Sequence, residues 1–186
     1  TIATSSIRRK AQWLNRFPND IITNLRGNVN TRLQKLQNSQ WHGAIFAAAG
    51  LERIDLRPEG SIELDWMLPA PAQGAIAVVC RDNDKFTFEA CRAFNHEPTE
   101  HCTQIERDFL RALLGGCSTP ISALAEMKDG QIYFRGNILS PDGKEKAAIE
   151  KTVPAYEWEV LGKVAAAELL QSGGSAIAEK LRHDNQ

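Results

Sequence analysis

No apolar run in this 186-residue chain approaches the ~20 residues that a membrane-spanning helix needs. No signal peptide precedes the first motif. Nothing repeats internally, and no low-complexity tract interrupts the sequence. Aromatic residues make up only 7% of the chain, and none interleaves with the arginines as a base-stacking platform. Together with a sequence pI near 6.4, this speaks against a nucleic-acid partner. With no secretory signal, the four cysteines (Cys80, Cys91, Cys102, Cys117) need not pair, and a reduced, cytosolic compartment is the expectation. The chain opens at Thr1 without a methionine and is inside an ordered-looking segment by Thr4. It is therefore expected to be a fragment lacking its N-terminal part.

What is present is ordinary for a globular protein: 42% hydrophobic and 24% charged residues. The net charge of −1 conceals an asymmetry. Residues 1–36 carry seven basic side chains against Asp20 alone, a local net of +6, which leaves −7 for the remainder. A basic front end implies an anionic partner.

The front of the chain alternates between helix and strand patterns. Ser5 and Ser6 are good caps for a helix IRRKAQWLNRF ended by Pro18. DIITNL has the composition of a strand. Asn28 or Thr31 opens a second helix, VNTRLQKLQNSQ, and HGAIFAAAG reads as a short buried strand. This rhythm predicts a parallel sheet with helices on its faces, whose ligands sit beyond the carboxyl ends of the strands. Next come LPAPAQGAIAVVCR, with a strand AIAVVC, and a polar stretch containing NHEPTEHC. From Cys102 an amphipathic helix stacks Ile105, Phe109 and Leu113 on one side, with Gly115-Gly116 as its cap. Three strands follow, ISALAEM, QIYFRGNIL and KAAIEKTV, separated by the turn signals Lys128-Asp-Gly130 and Pro141-Asp-Gly143. A final helix, YEWEVLGKVAAAELLQ, is expected to stop at Gly173-Gly174. The rear therefore reads as a small α+β unit with a three-stranded antiparallel sheet.

Arg8, Arg9, Arg26 and Arg32 fall on two loops predicted at one edge of the parallel sheet, beside two helix N-termini. Their spacing alone fits a solvated basic face, a carboxylate or phosphate site, or a nucleic-acid surface. Cys91, His96, His101 and Cys102 form C-x4-H-x4-H-C. This is not the usual zinc spacing, and the stretch reads as a polar linker without metal. The four tryptophans are scattered and read as packing. Cys117 follows a helix end in a glycine-rich loop. A cysteine is most often a small buried hydrophobe, yet this loop leaves room for something bulky beside the sulfur.

Six strings in order resemble one family, porphobilinogen deaminase (hydroxymethylbilane synthase). They are ATSSIRRKAQ (3–12), LRGNVNTRLQKL (25–36), AIFAAAGLERI (44–54), LPAPAQGAIAVVCR (68–81), ERDFLRALLGGCSTPISA (106–123) and GNILSPDG (136–143). The resemblance implies an enzyme that joins four porphobilinogen molecules into hydroxymethylbilane and releases ammonia at each step. Growth starts on a dipyrromethane cofactor held by a thioether, here at Cys117. Arg8, Arg9, Arg26 and Arg32 match the family's carboxylate-binding positions. Thr4, Ser6, Asn28, Ala47 and Gln73 match positions lining the cofactor or substrate cleft.

The resemblance also implies an α/β fold: the remainder of a periplasmic-binding-protein-like domain (1–67), a crossover strand and linker that would return to the missing N-terminal domain and alone would lose its strand partners (68–100), and a small α+β domain with a three-stranded antiparallel sheet that carries the cofactor cysteine (101–186). The catalytic aspartate is expected in an N-terminal part that precedes residue 1, since Asp20, Asp55 and Asp65 do not match its motif. No catalytic residue is thus assigned here, and the chain alone is expected to be inactive. Its expected partners are porphobilinogen, the growing polypyrrole and that complementary part, with neither nucleic acid nor membrane. Ala3, Ala72 and Asn30 stand where the family often has glycine, so their backbone is expected to keep negative φ. The alternative reading is a non-catalytic carboxylate-binding α/β module.

Overall fold

A computed structural model of the chain describes residues 1–113 and 119–183. The front part is a parallel sheet of three very short strands, β1 (Ile2–Ala3), β2 (Ile22–Thr23) and β3 (Gly43–Ala44), in the order β2-β1-β3. Each strand leads directly into a helix: β1 into α1 (Ile7–Arg16), β2 into α2 (Val29–Gln37) and β3 into α3 (Ala48–Glu52). Ser6 caps α1, its hydroxyl accepting from the Arg9 N–H. The Asn28 side chain caps α2, accepting from the Thr31 N–H at 2.9 Å. The core here is thin. Ala3, Ala11, Leu25, Ile45 and Leu51 are buried, and α2 buries no residue at all.

The rear part is better filled. Helices α4 (Lys85–Arg92) and α5 (Glu97–Ala112) precede an antiparallel sheet β4-β5-β6 (Ile121–Lys128, Gln131–Leu139, Lys146–Pro154). Asp129 and Gly130 both have positive φ (52° and 73°), the backbone a two-residue hairpin loop demands, and they set the pairing Lys128↔Gln131. Ile105 and Phe109 of α5 pack on the sheet, where Phe109 meets Phe134 edge-on at 5.1 Å. Helix α6 (Trp158–Leu169) lies against α5. His101 stacks on Trp158 at 4.1 Å, and Trp13 packs on Trp66 at 5.8 Å, so three of the four tryptophans serve packing. Among the described residues, no His, Cys, Asp and Glu side chains group as a metal site. Among the described residues, no helix is long and apolar enough to cross a membrane.

Five local expectations are corrected. HGAIFAAAG is not one strand: only Gly43–Ala44 finds a partner in β1, and the alanine run, the best helix former there is, turns into α3. Residues 75–80 form no strand, because no neighbouring backbone pairs with them. Ile76 and Val79 remain 87% and 86% exposed. The polar stretch is helical. Asp84 caps α4 through the Thr87 N–H, and α5 begins at Glu97 with Pro98 in its first turn rather than at Cys102. Gly173-Gly174 does not end the chain's helical run. Gly173 (φ 106°) kinks it, and α7 (Ser175–His183) continues, burying Ile177, Ala178 and Leu181. Ala72 takes a positive φ of 59°, not a negative one.

Among the described residues, three polar links join front to rear. Gln12 of α1 is buried. Its Nε2 donates to the Leu68 carbonyl and the Ser122 hydroxyl, both at 3.0 Å, and its Oε1 accepts from the Leu68 N–H at 2.9 Å. Glu106 of α5 accepts from Ala72 and Ala125. Asn15 donates to the Gly143 carbonyl at 2.8 Å, where the β5–β6 turn rests on α1.

Gly143 has φ 75°, and a Cβ there would stand 2.6 Å from both the Ala11 carbonyl oxygen and the Asn15 nitrogen. Gly143→Ala is expected to cost about 2–4 kcal/mol by urea denaturation, from left-handed strain plus overpacking. Gly130→Ala shares the positive φ but faces open space, and should cost only about 1–2 kcal/mol. Equal losses would show that the turn does not dock on α1.

Candidate functional site

The order β2-β1-β3 places the carboxyl ends of three adjacent parallel strands side by side, with the starts of α1, α2 and α3 beyond them. Neither α1 nor α2 has an acidic residue in its first turn. α1 instead places Arg8 and Arg9 there, next to backbone N–H groups that already favour negative charge. That arrangement weakens a helix by a few tenths to ~1 kcal/mol per cation. A sequence that accepts this cost at two adjacent positions is built to meet an anion.

Thr4, Ser5, Ser6, Arg9, Leu25, Arg32 and Ile45 line a cavity of about 180 Å³ at this edge. Arg9 is anchored by a bond from Nη1 to the Ile45 carbonyl at 3.1 Å. Arg32 Nε is buried and has no hydrogen-bond partner among the described residues. Thr4 is buried, its hydroxyl accepting from the Ser6 N–H at 3.3 Å. Arg8 Nη2 donates to Gln73 Oε1 at 3.3 Å, which brings the crossover to the same edge. Burial, and then Arg9 beside it, pull Arg8 down to about 10. Burial and then Arg32 lower Arg9. The guanidiniums of Arg8, Arg9 and Arg32 thus crowd positive charge at this edge, which a bound anion would relieve.

The expected site residues separate into groups. Thr4, Ser6, Arg9 and Arg32 share the cavity wall, and Arg8 pairs with Gln73. Arg26 is exposed, and its carbonyl accepts from Lys35 Nζ at 3.0 Å. The Asn28 side chain is engaged in capping α2, and Ala47 occupies the N-cap position of α3 without a side-chain bond. Cys117 lies outside the described residues.

Sequence reasoning gave Ser5 only as a cap candidate, whereas its hydroxyl donates to the Leu25 carbonyl at 2.6 Å on the cavity wall, and it missed Gln12 and Glu106. Glu106 did carry a signal: a carboxylate one turn from both Cys102 and Phe109, on the apolar face of its helix. Its two oxygens accept from Ala72 N at 2.5 Å and Ala125 N at 2.8 Å. A left-handed alanine costs ~1–2 kcal/mol, whereas a hydrogen bond to a charged acceptor contributes about 1.5–3 kcal/mol. The bond outweighs the strain, and Ala72 keeps φ 59°.

Two family models match the chain. Residues 1–89 match "Porphobilinogen deaminase, dipyromethane cofactor binding domain", and residues 100–171 match "Porphobilinogen deaminase, C-terminal domain". Porphobilinogen deaminase of Thermus thermophilus is 43% identical over 184 residues, covering 97% of this chain and 61% of that protein. The chloroplastic porphobilinogen deaminase of Oryza sativa subsp. japonica is 38% identical over 187 residues (97% and 52%). That of Geobacillus kaustophilus is 37% identical over 186 residues (98% and 60%). The chain thus spans between half and two thirds of the length of these curated relatives. With two family models in sequence order and relatives near 40% identical along nearly its whole length, the chain belongs to the porphobilinogen deaminase family.

Proposed function

We propose that this chain is the larger part of an enzyme that joins four porphobilinogen molecules head to tail into hydroxymethylbilane, releasing one ammonia per condensation. The observation that supports this best is the cluster of Arg8, Arg9 and Arg32 at the carboxyl edge of the parallel sheet, inside the segment that matches the cofactor-binding domain. The residues present fit a dipyrromethane. Each pyrrole unit of that group carries an acetate and a propionate, and the edge offers crowded guanidiniums and an orphaned Arg32 Nε to receive them.

Cys117 would hold the cofactor through a thioether. Arg9 and Arg32 would bind its carboxylates, with Thr4 and Ser6 donating hydroxyl hydrogen bonds from the same wall. Arg8, steadied by Gln73, and the exposed Arg26 would take the carboxylates of incoming porphobilinogen or of the growing chain, with Asn28 and Ala47 at the rim. Bound there, the dipyrromethane supplies the pyrrole terminus on which growth begins. The arginines orient and neutralise a polycarboxylate. Anchoring Arg9 on the Ile45 carbonyl keeps its geometry set before binding.

None of the residues described as lining the cavity is a carboxylate. We therefore assign the general acid–base aspartate to a complementary N-terminal part of the same enzyme, as the family resemblance implies. The run 75–79, with Ile76, Val78 and Val79 exposed, supports such a partner, since a soluble surface rarely leaves a β-type apolar run uncovered. On this reading the chain divides into a periplasmic-binding-protein-like domain at 1–67, a crossover and linker at 68–100, and an α+β domain at 101–186. It works in the cytosol.

Two outcomes are expected. Co-expressed with its complementary N-terminal part, the chain should carry an added mass of two pyrrole units, absent in Cys117→Ser. Intact-mass measurement checks this, and an unmodified wild-type chain in an active pair contradicts it. In the same assembly, Arg32→Ala should lower kcat/KM roughly ten- to a hundredfold, the loss of one or two charge-assisted bonds. Arg26→Ala should lower it less, since that side chain is exposed. Unchanged kinetics in both would remove the carboxylate-clamp role.

A further inference from the structure

We propose that Glu106 is a positioning residue: by clamping Ala72 it fixes the turn that presents Gln73 to Arg8, and so sets one side of the arginine site from the antiparallel-sheet part of the molecule. The inference deepens the functional reading above and rests on it for its kinetic half only.

The geometry points this way at each link. Glu106 is 4% exposed and forms no ion pair among the described residues. Both its oxygens are committed to backbone N–H groups, one on the outer edge of β4 at Ala125 and one at Ala72. Ala72 (φ 59°) and Gly74 (φ 90°) flank Gln73 in left-handed conformations, so Gln73 sits at the apex of a turn that an alanine does not favour by itself. The Gln73 N–H closes that turn on the Ala70 carbonyl at 2.9 Å, and its side chain accepts from Arg8. Four residues before Ala72, at Leu68, both backbone groups are gripped by Gln12, which also reaches Ser122 of β4. The crossover at 68–72 is therefore tied to β4 by two buried side chains in place of a backbone ladder. One of them comes from the helix that carries Arg8. The other comes from the helix whose chain runs on toward Cys117.

A carboxylate suits this task because it is all acceptor. Glutamine keeps the shape but offers one acceptor and one NH2, so one of the two N–H donors would face another donor. Burial pushes the Glu106 carboxyl up, against the two N–H bonds and Arg107, which pull it down, while Glu126 adds to the rise. The site therefore tolerates a costly group for the sake of its two acceptors.

Amide hydrogen exchange on the chain tests the clamp. Glu106→Gln should speed exchange at Ala72 and Gln73 at least tenfold and leave the central amides of β5 unchanged. Adding Ala72→Gly, which removes the left-handed penalty, should restore part of the protection at Gln73. An unchanged Ala72 amide overturns the proposal, as does an equal acceleration throughout β5, which would reduce Glu106 to general core support. Should Glu106→Gln fail to fold, the wild type decides: its Ala72 amide must exchange at least tenfold more slowly than that of Gly74, and a fast Ala72 amide overturns the clamp. In the assembled enzyme, Glu106→Gln should raise KM for porphobilinogen severalfold while the mass on Cys117 stays that of the wild type. Loosened exchange with unchanged KM breaks the link to Arg8. An assembled wild type without turnover overturns the functional reading instead and leaves exchange to judge the clamp.

Discussion

The crowding of half-buried guanidiniums is the constraint around which the front of this molecule is arranged. Burial and then Arg9 lower the proton affinity of Arg8, and burial and then Arg32 lower that of Arg9. Nothing acidic lines the cavity among its described residues. Structural arginines are ordinarily paired, because an unpaired buried charge costs several kcal/mol. Among the described residues lining the cavity these arginines meet no carboxylate, and a bound ligand would supply the counter-charge. The topology follows from that requirement: a parallel sheet brings three helix starts to one edge, and helix starts add N–H groups of the same electrostatic sense.

Such a site destabilises the part that carries it, and the front part has little apolar burial to set against this. Its strands pair over two residues each, and α2 buries nothing. The compensation comes from the rear, whose core is continuous from Cys102 to Leu181. Gln12, Glu106 and the Gly143 turn fasten the weak part to the strong one with buried hydrogen bonds and a backbone approach that only glycine permits. Polar links suit this junction better than an apolar seam would. Each bond has a direction, so together they fix the angle of α1 and with it Arg8 and Arg9.

Legibility in the sequence tracked how local each determinant was. Caps at Ser6 and Asn28 read correctly because a cap is decided within three residues. The strands β4 to β6 read correctly because alternation and the Asp-Gly turns are local too. Strand lengths at the front did not, since pairing there depends on neighbours far along the chain. HGAIFAAAG has strand-like apolarity, yet only two of its residues find a partner. Gly173 carries a stop signal, but Ile177, Ala178 and Leu181 supply an apolar face that rewards a further helix. Ala72 misled for the same reason: its conformation is set by a carboxylate thirty-four residues away. Of the arginines expected at one sheet edge, Arg8, Arg9 and Arg32 lie there, because their loops follow adjacent parallel strands. Gln12 and Glu106 were not evident, because polar residues inside helices read as solvent-facing until the packing is known.

The crossover shows where the fold stops being self-sufficient. Up to Ala72 its backbone is gripped by buried side chains. From Ala75 its pattern is that of a sheet-central strand, AIAVVC, yet it pairs with nothing and exposes both faces. One segment thus changes within three residues from fully determined to undetermined, although its sequence becomes more strand-like, not less. Propensity for β structure is a propensity to be covered and paired. The side chains beyond it repeat the message: Phe86 and Phe94 are 85% and 81% exposed on and beside α4. On the proposed function these apolar residues form one seam against the complementary part of the enzyme. Gln73 lies at the point where the clamped stretch meets that seam.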